Sequence, residues 1–265
     1  FRGPTLGDTA RDKGGNIMPG VAAVVGRQAP EALAALEAAA DAAGAPLIAM
    51  DRDFTARLEN GRLVVEDERG LADLEPPRLA GAHQIENAGL AAAALRRLRA
   101  PEAAISKGMT TVEWPARLQR LKHGPLIEAA PPGGAQFWLD GGHNPHAGAA
   151  LARHFADMEE GDPQPLYLIC AMLNSKSPEA FLRPFAGLAR RVFAAPLPGE
   201  PNALSPEDVA QAAIRAGLPA QAEGSIDAAL RAITAEVIDD ITEPVPRILI
   251  CGSLHFAGRI LRENG

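Results

Sequence analysis

The run Phe137-Trp-Leu-Asp140-Gly-Gly-His143-Asn-Pro-His146-Ala-Gly-Ala-Ala-Leu151 constrains the fold more than any other stretch of this chain. It opens as a short apolar strand and ends as an Ala-rich helix. Between them, Asp140 closes the strand and Gly-Gly-His-Asn-Pro turns the chain. A strand-to-helix turn of this kind exposes backbone N–H groups. It also sets a carboxylate and an imidazole at the carboxyl edge of a sheet, where open α/β folds bind ligands.

The remainder extends that pattern. Short apolar strands are expected at 136–139, 165–170, 191–195 and 247–251, with helices at 145–158, 178–188, 206–216 and 226–238. Such alternation indicates an α/β fold with a mostly parallel, Rossmann-like sheet. The first hundred residues are more broken. A helix over 30–44 ends at Gly44, a strand follows over 46–50, Asn60-Gly61 signals a hairpin, and 82–100 forms an Ala-rich helix. Two domains are expected, 1–110 and 111–265, with the boundary near 109–115, where the Ala-rich helical segment gives way to Thr-Thr-Val-Glu-Trp-Pro.

Composition narrows the function classes. A net charge of −7 and the lack of a basic stripe with interleaved aromatics argue against nucleic acid. With no signal peptide and no span of about 18 apolar residues, a cytoplasmic chain without a membrane partner is expected. Because the sequence starts at Phe1 and not Met, we expect the natural polypeptide to be longer. Cys170 and Cys251 each sit inside an apolar run, which favours buried core thiols over ligands or a disulfide.

Single residues leave two readings open. Asp140 and His143 suit a ligand, although a bare Asp-x-x-His better suits hydrogen bonds to loop backbone. Asn87 offers a planar donor–acceptor amide for a base, or a helix N-cap. Arg117 has the fork that phosphate oxygens favour, or pairs with surface carboxylates. Ser253 is a ligand hydroxyl or a helix cap. His143-x-x-His146 has no third ligand at metal spacing and is interrupted by Pro145, so zinc is rejected. No Gly-x-Gly-x-x-Gly follows a strand, which disfavours a dinucleotide-dependent oxidoreductase.

In order along the chain, these motifs resemble the folylpolyglutamate synthase/dihydrofolate synthase family of Mur-type amide ligases. Asp140-Gly-Gly-His143-Asn-Pro is similar to its Asp-Gly-(Gly/Ala)-His-Asn-Pro signature. His83-Gln-Ile-Glu-Asn87-Ala resembles a segment whose Asn reads the adenine of ATP. Trp114-Pro-Ala-Arg117-Leu-Gln-Arg120 resembles a linker whose Arg swings onto the nucleotide phosphates as two domains close, with Ala116 in place of Gly and Arg120 the less favoured candidate. Ala171-Met-Leu-Asn-Ser-Lys176-Ser177 and Cys251-Gly-Ser253-Leu-His255-Phe-Ala-Gly match two further turns, with Ser177 for Asp and His255 for Tyr. Near the N-terminus, Lys13 takes the place of a Lys that is often carbamylated beside Mg²⁺, with Asp12 replacing Glu, Asn16 replacing Ile and Met18 replacing Lys.

The resemblance implies the end of a Mur-ligase-type central ATPase domain followed by a Rossmann-like ligase domain. It implies ATP and Mg²⁺ as cofactors, with L-glutamate and dihydropteroate or a folate as substrates, in a monomer. ATP phosphorylates the pterin substrate's carboxylate, and the glutamate amine attacks the acyl phosphate. Asn87, Arg117 and Asp140 would bind nucleotide, His143, Lys176 and Ser253 the incoming substrate in an interdomain cleft, and Lys13 the metal if carbamylated. Arg117, Asp140 and His143 would be catalytic. The family's Gly-x-x-x-x-Gly-Lys-(Ser/Thr) phosphate loop does not occur in this sequence. The alternative expectation is therefore a non-catalytic remnant that binds folate or nucleotide.

Overall fold

A computed structural model describes residues 5–239 and 244–264. Contacts group the chain into two units, one of residues up to 78 with 82–113, the other of 79–81 with 114 onward.

The first unit begins with α1 (Leu6–Gly14), held by a capping box. The Thr5 hydroxyl accepts the Asp8 N–H, and the Asp8 carboxylate accepts the Thr5 N–H. Ala10 packs this helix on Ala32 and Leu36 of α2 (Pro30–Ala43). Pro at its first turn starts α2, and Gly44 at φ 58 ends it. The short strands β1 (Ala23–Val25) and β2 (Leu47–Ala49) pair in parallel. An antiparallel sheet follows, β3 (Thr55–Glu59), β4 (Arg62–Asp67) and β5 (Gly70–Leu74). Asn60 and Gly61 turn the first hairpin with φ of 50° and 76°, the two positive values that a tight I′ turn requires. Beneath this sheet lie α3 (Ala82–Arg97), through Ala88, Ala92 and Ala93, and α4 (Glu102–Thr111), through Ile105 and Met109. A Cβ on Gly89 would come within 2.1 Å of the Ala56 Cβ, so α3 approaches β3 closely because that residue has no side chain.

The second unit is a doubly covered sheet. In chain order its elements are β6 (Gln119–Leu121), α5 (Pro125–Glu128), β7 (Gln136–Leu139), α6 (Pro145–Gly161), β8 (Leu166–Cys170), α7 (Pro178–Leu182) and β9 (Ala189–Ala194). Then come α8 (Pro206–Arg215), β10 (Ala220–Ala222), α9 (Ile226–Asp239), β11 (Arg247–Cys251) and α10 (Leu254–Asn264). The strand order is β10-β9-β8-β11-β7-β6, parallel throughout except for β6, which runs antiparallel to β7. The fold is therefore α/β with a mostly parallel sheet, as the strand–helix alternation indicates.

Alternating side chains feed two cores. Leu166, Leu168 and Cys170 of β8 join Leu249 and Cys251 of β11 against Leu151, Phe155, Phe181 and Val209. Tyr167 and Ile169 join Ile248 and Ile250 on the other face, against Leu230, Ile233, Phe256 and Ile260. Every residue of β8 and β11 is buried, which explains their unbroken apolar runs.

Three features depart from the sequence expectation. The helix expected over 178–188 stops at Leu182 and tightens into a 3₁₀ turn, Arg183–Phe185. Pro184 has no N–H to donate, and Gly187 at φ 79 bends the chain toward β9. The edge strands β6 and β10 and the hairpin strand β5 carry too few inward apolar residues to announce themselves. The helices α1, α4 and α5 and the strand β1 also lie in stretches where no element was expected. Among the described residues no helix is long and apolar enough to cross a membrane.

Candidate ligand site at the carboxyl edge of the parallel sheet

The Asp-Gly-Gly-His-Asn-Pro turn leaves the end of β7. Asp140 is 5% exposed, and its two carboxylate oxygens accept backbone N–H groups from different segments. Oδ1 takes the Gly142 N–H at 2.6 Å, and Oδ2 takes the Leu118 N–H at 2.8 Å. Gly141 donates to the Ala116 carbonyl at 2.9 Å, and the Ala116 N–H reaches Gln119 Oε1 at 2.9 Å. Between these anchors stands Arg117, half-buried and, among the described residues, in no ion pair. Its neighbours Ala116 and Leu118 have φ of 56° and 43°, left-handed values that side chains resist. Arg120 is occupied elsewhere. Its guanidinium lies 5.3 Å from the centre of the Trp138 ring and donates to Gln136 Oε1 at 2.8 Å.

His143 Nδ1 lies 2.9 Å from the Gly141 carbonyl oxygen. A carbonyl only accepts, so Nδ1 carries the hydrogen, and in the neutral ring Nε2 keeps a lone pair. Asn144 caps α6 by accepting the Ala147 N–H at 2.9 Å, with Pro145 at the first helical position. The paired glycines answer to sterics. A Cβ on Gly141 would meet Leu254 Cδ2 at 2.3 Å, and one on Gly142 would meet Asp140 Oδ1 at 2.8 Å.

Three separate strand ends converge on one cavity of about 240 Å³. His143 follows β7, Ser175 and Lys176 follow β8, and Ser253, Leu254 and His255 follow β11. Ser253 is 2% exposed and accepts the His255 N–H at 3.1 Å, so it caps α10 while lining the cavity. His255 Nδ1 sits 3.1 Å from Glu200 Oε2, a carboxylate only 16% exposed. Ser177 caps α7 through the Ala180 N–H, a task that Ser performs as well as Asp. Imidazoles, an ammonium and hydroxyls at the start of an eleven-residue helix make a cavity suited to an anion. The sequence signalled His255 only as a replacement for Tyr. Glu200 lies in a distant loop with no motif around it.

Two other sequence candidates belong to the first unit. Asn87 lies in the second turn of α3, not at its cap. Its Nδ2 donates to Oε1 of the buried Gln84 at 3.1 Å, which fixes the amide plane on an exposed part of the helix. Lys13 is exposed on the last turn of α1. Among the described residues no group of three or more His, Cys, Asp or Glu is arranged to hold a metal ion. Cys170 and Cys251 are register partners on β8 and β11, both buried and free. The hydrogen bond with Cys170, followed by burial, pushes the Cys251 thiol well above its ordinary value and keeps it protonated.

A mostly parallel sheet, helices on both faces and an anion-suited cavity at the carboxyl ends of its central strands define a Rossmann-like ligand-binding domain. The profile of the family described as "Dihydrofolate synthetase, C-terminal domain" matches residues 126–263, a little over half of the chain, and the chain belongs to that family. It is 29% identical to folylpolyglutamate synthase of Lacticaseibacillus casei over 97% of its own length and 57% of that protein. The solved structure of Mycobacterium tuberculosis folylpolyglutamate synthase complexed with ADP superposes with a TM-score of 0.82 at 26% identity, over 99% of this chain and 60% of that one. The fold also matches the Yersinia pestis bifunctional folylpolyglutamate synthase/dihydrofolate synthase complexed with AMPPNP and a Mn ion, at a TM-score of 0.78 and 22% identity, over 99% of this chain and 57% of that one. The chain thus spans about three-fifths of the length of these relatives.

Proposed function

We propose that this chain supplies the end of the ATPase domain, within its first unit, and the ligase domain, its second, of an ATP-dependent amide ligase. The ligase joins L-glutamate to dihydropteroate or a folate. In this reading ATP phosphorylates the carboxylate of the pterin substrate and ADP is released, the glutamate amine attacks the acyl phosphate and loses a proton, phosphate leaves, and an amide remains. The protein acts in the cytoplasm as a monomer. The observation that carries the reading is the cavity in which His143, Lys176 and Ser253 meet, drawn from three strand ends.

An amino acid with two carboxylates matches its lining. The Lys176 ammonium and the start of α10 favour the carboxylates. His143 Nε2, kept as an acceptor by the Nδ1 bond to Gly141, suits the amine, which must lose a proton to attack. Arg117 has the fork for phosphate oxygens, and the fixed amide of Asn87 suits adenine. Mg²⁺ would be held mainly by the nucleotide phosphates and water, and would supply charge neutralisation there. Catalysis then consists mainly of neutralising phosphate charge and bringing amine and acyl phosphate together.

The test is phosphate release from MgATP in the presence of L-glutamate and either dihydropteroate or a reduced folate. Release that requires both glutamate and one pterin is expected, falling by about a hundredfold or more in His143→Ala. Release that ignores glutamate refutes the ligase reading, and none from the folded chain supports the alternative, a non-catalytic remnant that binds folate or nucleotide. A parallel titration with L-glutamate alone should show Lys176→Ala binding about tenfold more weakly.

A further inference from the structure

We infer that Asp140 is a positioning residue for Arg117: its carboxylate fastens the strap that presents the guanidinium and locks that strap to the turn bearing His143. The inference rests on the proposed role of Arg117 at the nucleotide. The strap, residues 116–118, is in a conformation it would not keep unaided. Ala116 and Leu118 are both left-handed, and neither is a glycine. Such residues persist only where surrounding bonds over-determine them.

Three bonds do so here. Leu118 donates to Asp140 Oδ2, Gly141 donates to the Ala116 carbonyl, and Ala116 donates to Gln119 Oε1. The Asp140 bond is charge-assisted and buried, which makes it the strongest of the three. The same carboxylate holds the Gly142 N–H through Oδ1, one residue before His143. One buried group therefore sets the spacing between the residue proposed for phosphate and the residue proposed for the amine. Holding two reacting ends at fixed separation is what a reaction between acyl phosphate and amine needs.

The test combines amide hydrogen exchange with MgATP binding, on the whole chain. In Asp140→Asn the Leu118 amide should exchange about tenfold or more faster, while amides of β8 and β11 stay protected. MgATP should bind about tenfold more weakly to Asp140→Asn, and to Arg117→Ala by a similar factor. The double variant Arg117→Ala/Asp140→Asn should be no weaker than Arg117→Ala alone, because Asp140 acts through Arg117. Asp140→Asn keeps one acceptor oxygen and should lose less affinity than Asp140→Ala.

Gln119→Ala opens the strap from the other side without touching Asp140, and should reproduce both the faster exchange at Leu118 and the non-additivity. It carries the test if the Asp140 variants do not fold. Multiplying losses in the double variant would mean that Asp140 meets the nucleotide directly, and would overturn the inference. Unchanged exchange at Leu118 would overturn it as well. Failure of the wild-type chain to bind MgATP would refute the nucleotide reading and the inference together, whereas unchanged exchange with normal binding would refute the inference alone.

Discussion

Arg96 is 2% exposed, yet it carries a full charge in the interior of the first unit. Its guanidinium reaches both oxygens of Asp67 at 2.8 Å, the Gly70 carbonyl at 2.8 Å, and Glu102. This ties α3 to the β4–β5 hairpin, and it lowers the Asp67 carboxyl below its ordinary value of 3.8, chiefly through the Arg96 hydrogen bonds. A depressed folded value means that the contribution to stability is complete above the unfolded value and is lost as pH falls through the folded one. Wild-type protein should therefore lose more stability than Asp67→Asn on acidification from about pH 5 toward pH 2, as followed by urea unfolding at fixed pH. Arg96→Met should cost about 3 kcal/mol at neutral pH, because it leaves the largely buried Asp67 carboxylate without its partner. Legibility at this scale follows distance along the chain. His143 and Asn144 were visible because their partners lie within a few residues, as does Gly142, one of the two partners of Asp140. The Arg96–Asp67 and His255–Glu200 pairs were not visible, because each joins segments that nothing in the local sequence connects.

Among the elements, α6 shows how a helix inside the second unit is seated by one missing side chain. A Cβ on Gly148 would stand 2.1 Å from the carbonyl oxygen of Phe181, which belongs to backbone and cannot turn aside. Gly148→Ala should destabilise the protein by about 2–3 kcal/mol and lower its urea midpoint. Gly161→Ala, at the open end of the same helix, meets nothing within 4 Å and should change stability by no more than about 0.5 kcal/mol. The strands β8 and β11 were readable because burial on both faces demands an unbroken apolar run. The short edge strands β6 and β10 have little apolar patterning, and their pairing comes from the neighbouring strand. The Pro184 stop in the helix after β8 was legible in principle, since a proline inside a helical pattern removes a donor.

At the scale of the molecule, each unit closes its own core. The clusters around Phe155 and Phe256 draw only on residues of the second unit, and those around Leu63 and Leu36 only on residues of the first. A fragment of residues 114–265 should therefore fold by itself and unfold in one cooperative transition. Non-cooperative melting of that fragment, seen by circular dichroism and calorimetry, would show that its cores need the preceding residues.

The amino-acid sequence alone determined the α/β alternation, the two-faced burial of the central strands and the turn that carries Asp140 and His143. These are local properties, set by apolar periodicity and by capping residues that act within one or two turns of chain. Only the tertiary structure decided that β11 inserts between β7 and β8, and so brings Ser253 and His255 to His143 and Lys176. It likewise decided that Asp140 holds Leu118 across the sheet edge. Strand order is a choice among long crossovers of similar local chemistry. It is settled by which arrangement buries both faces of the sheet at once, and no short stretch of sequence can report that sum.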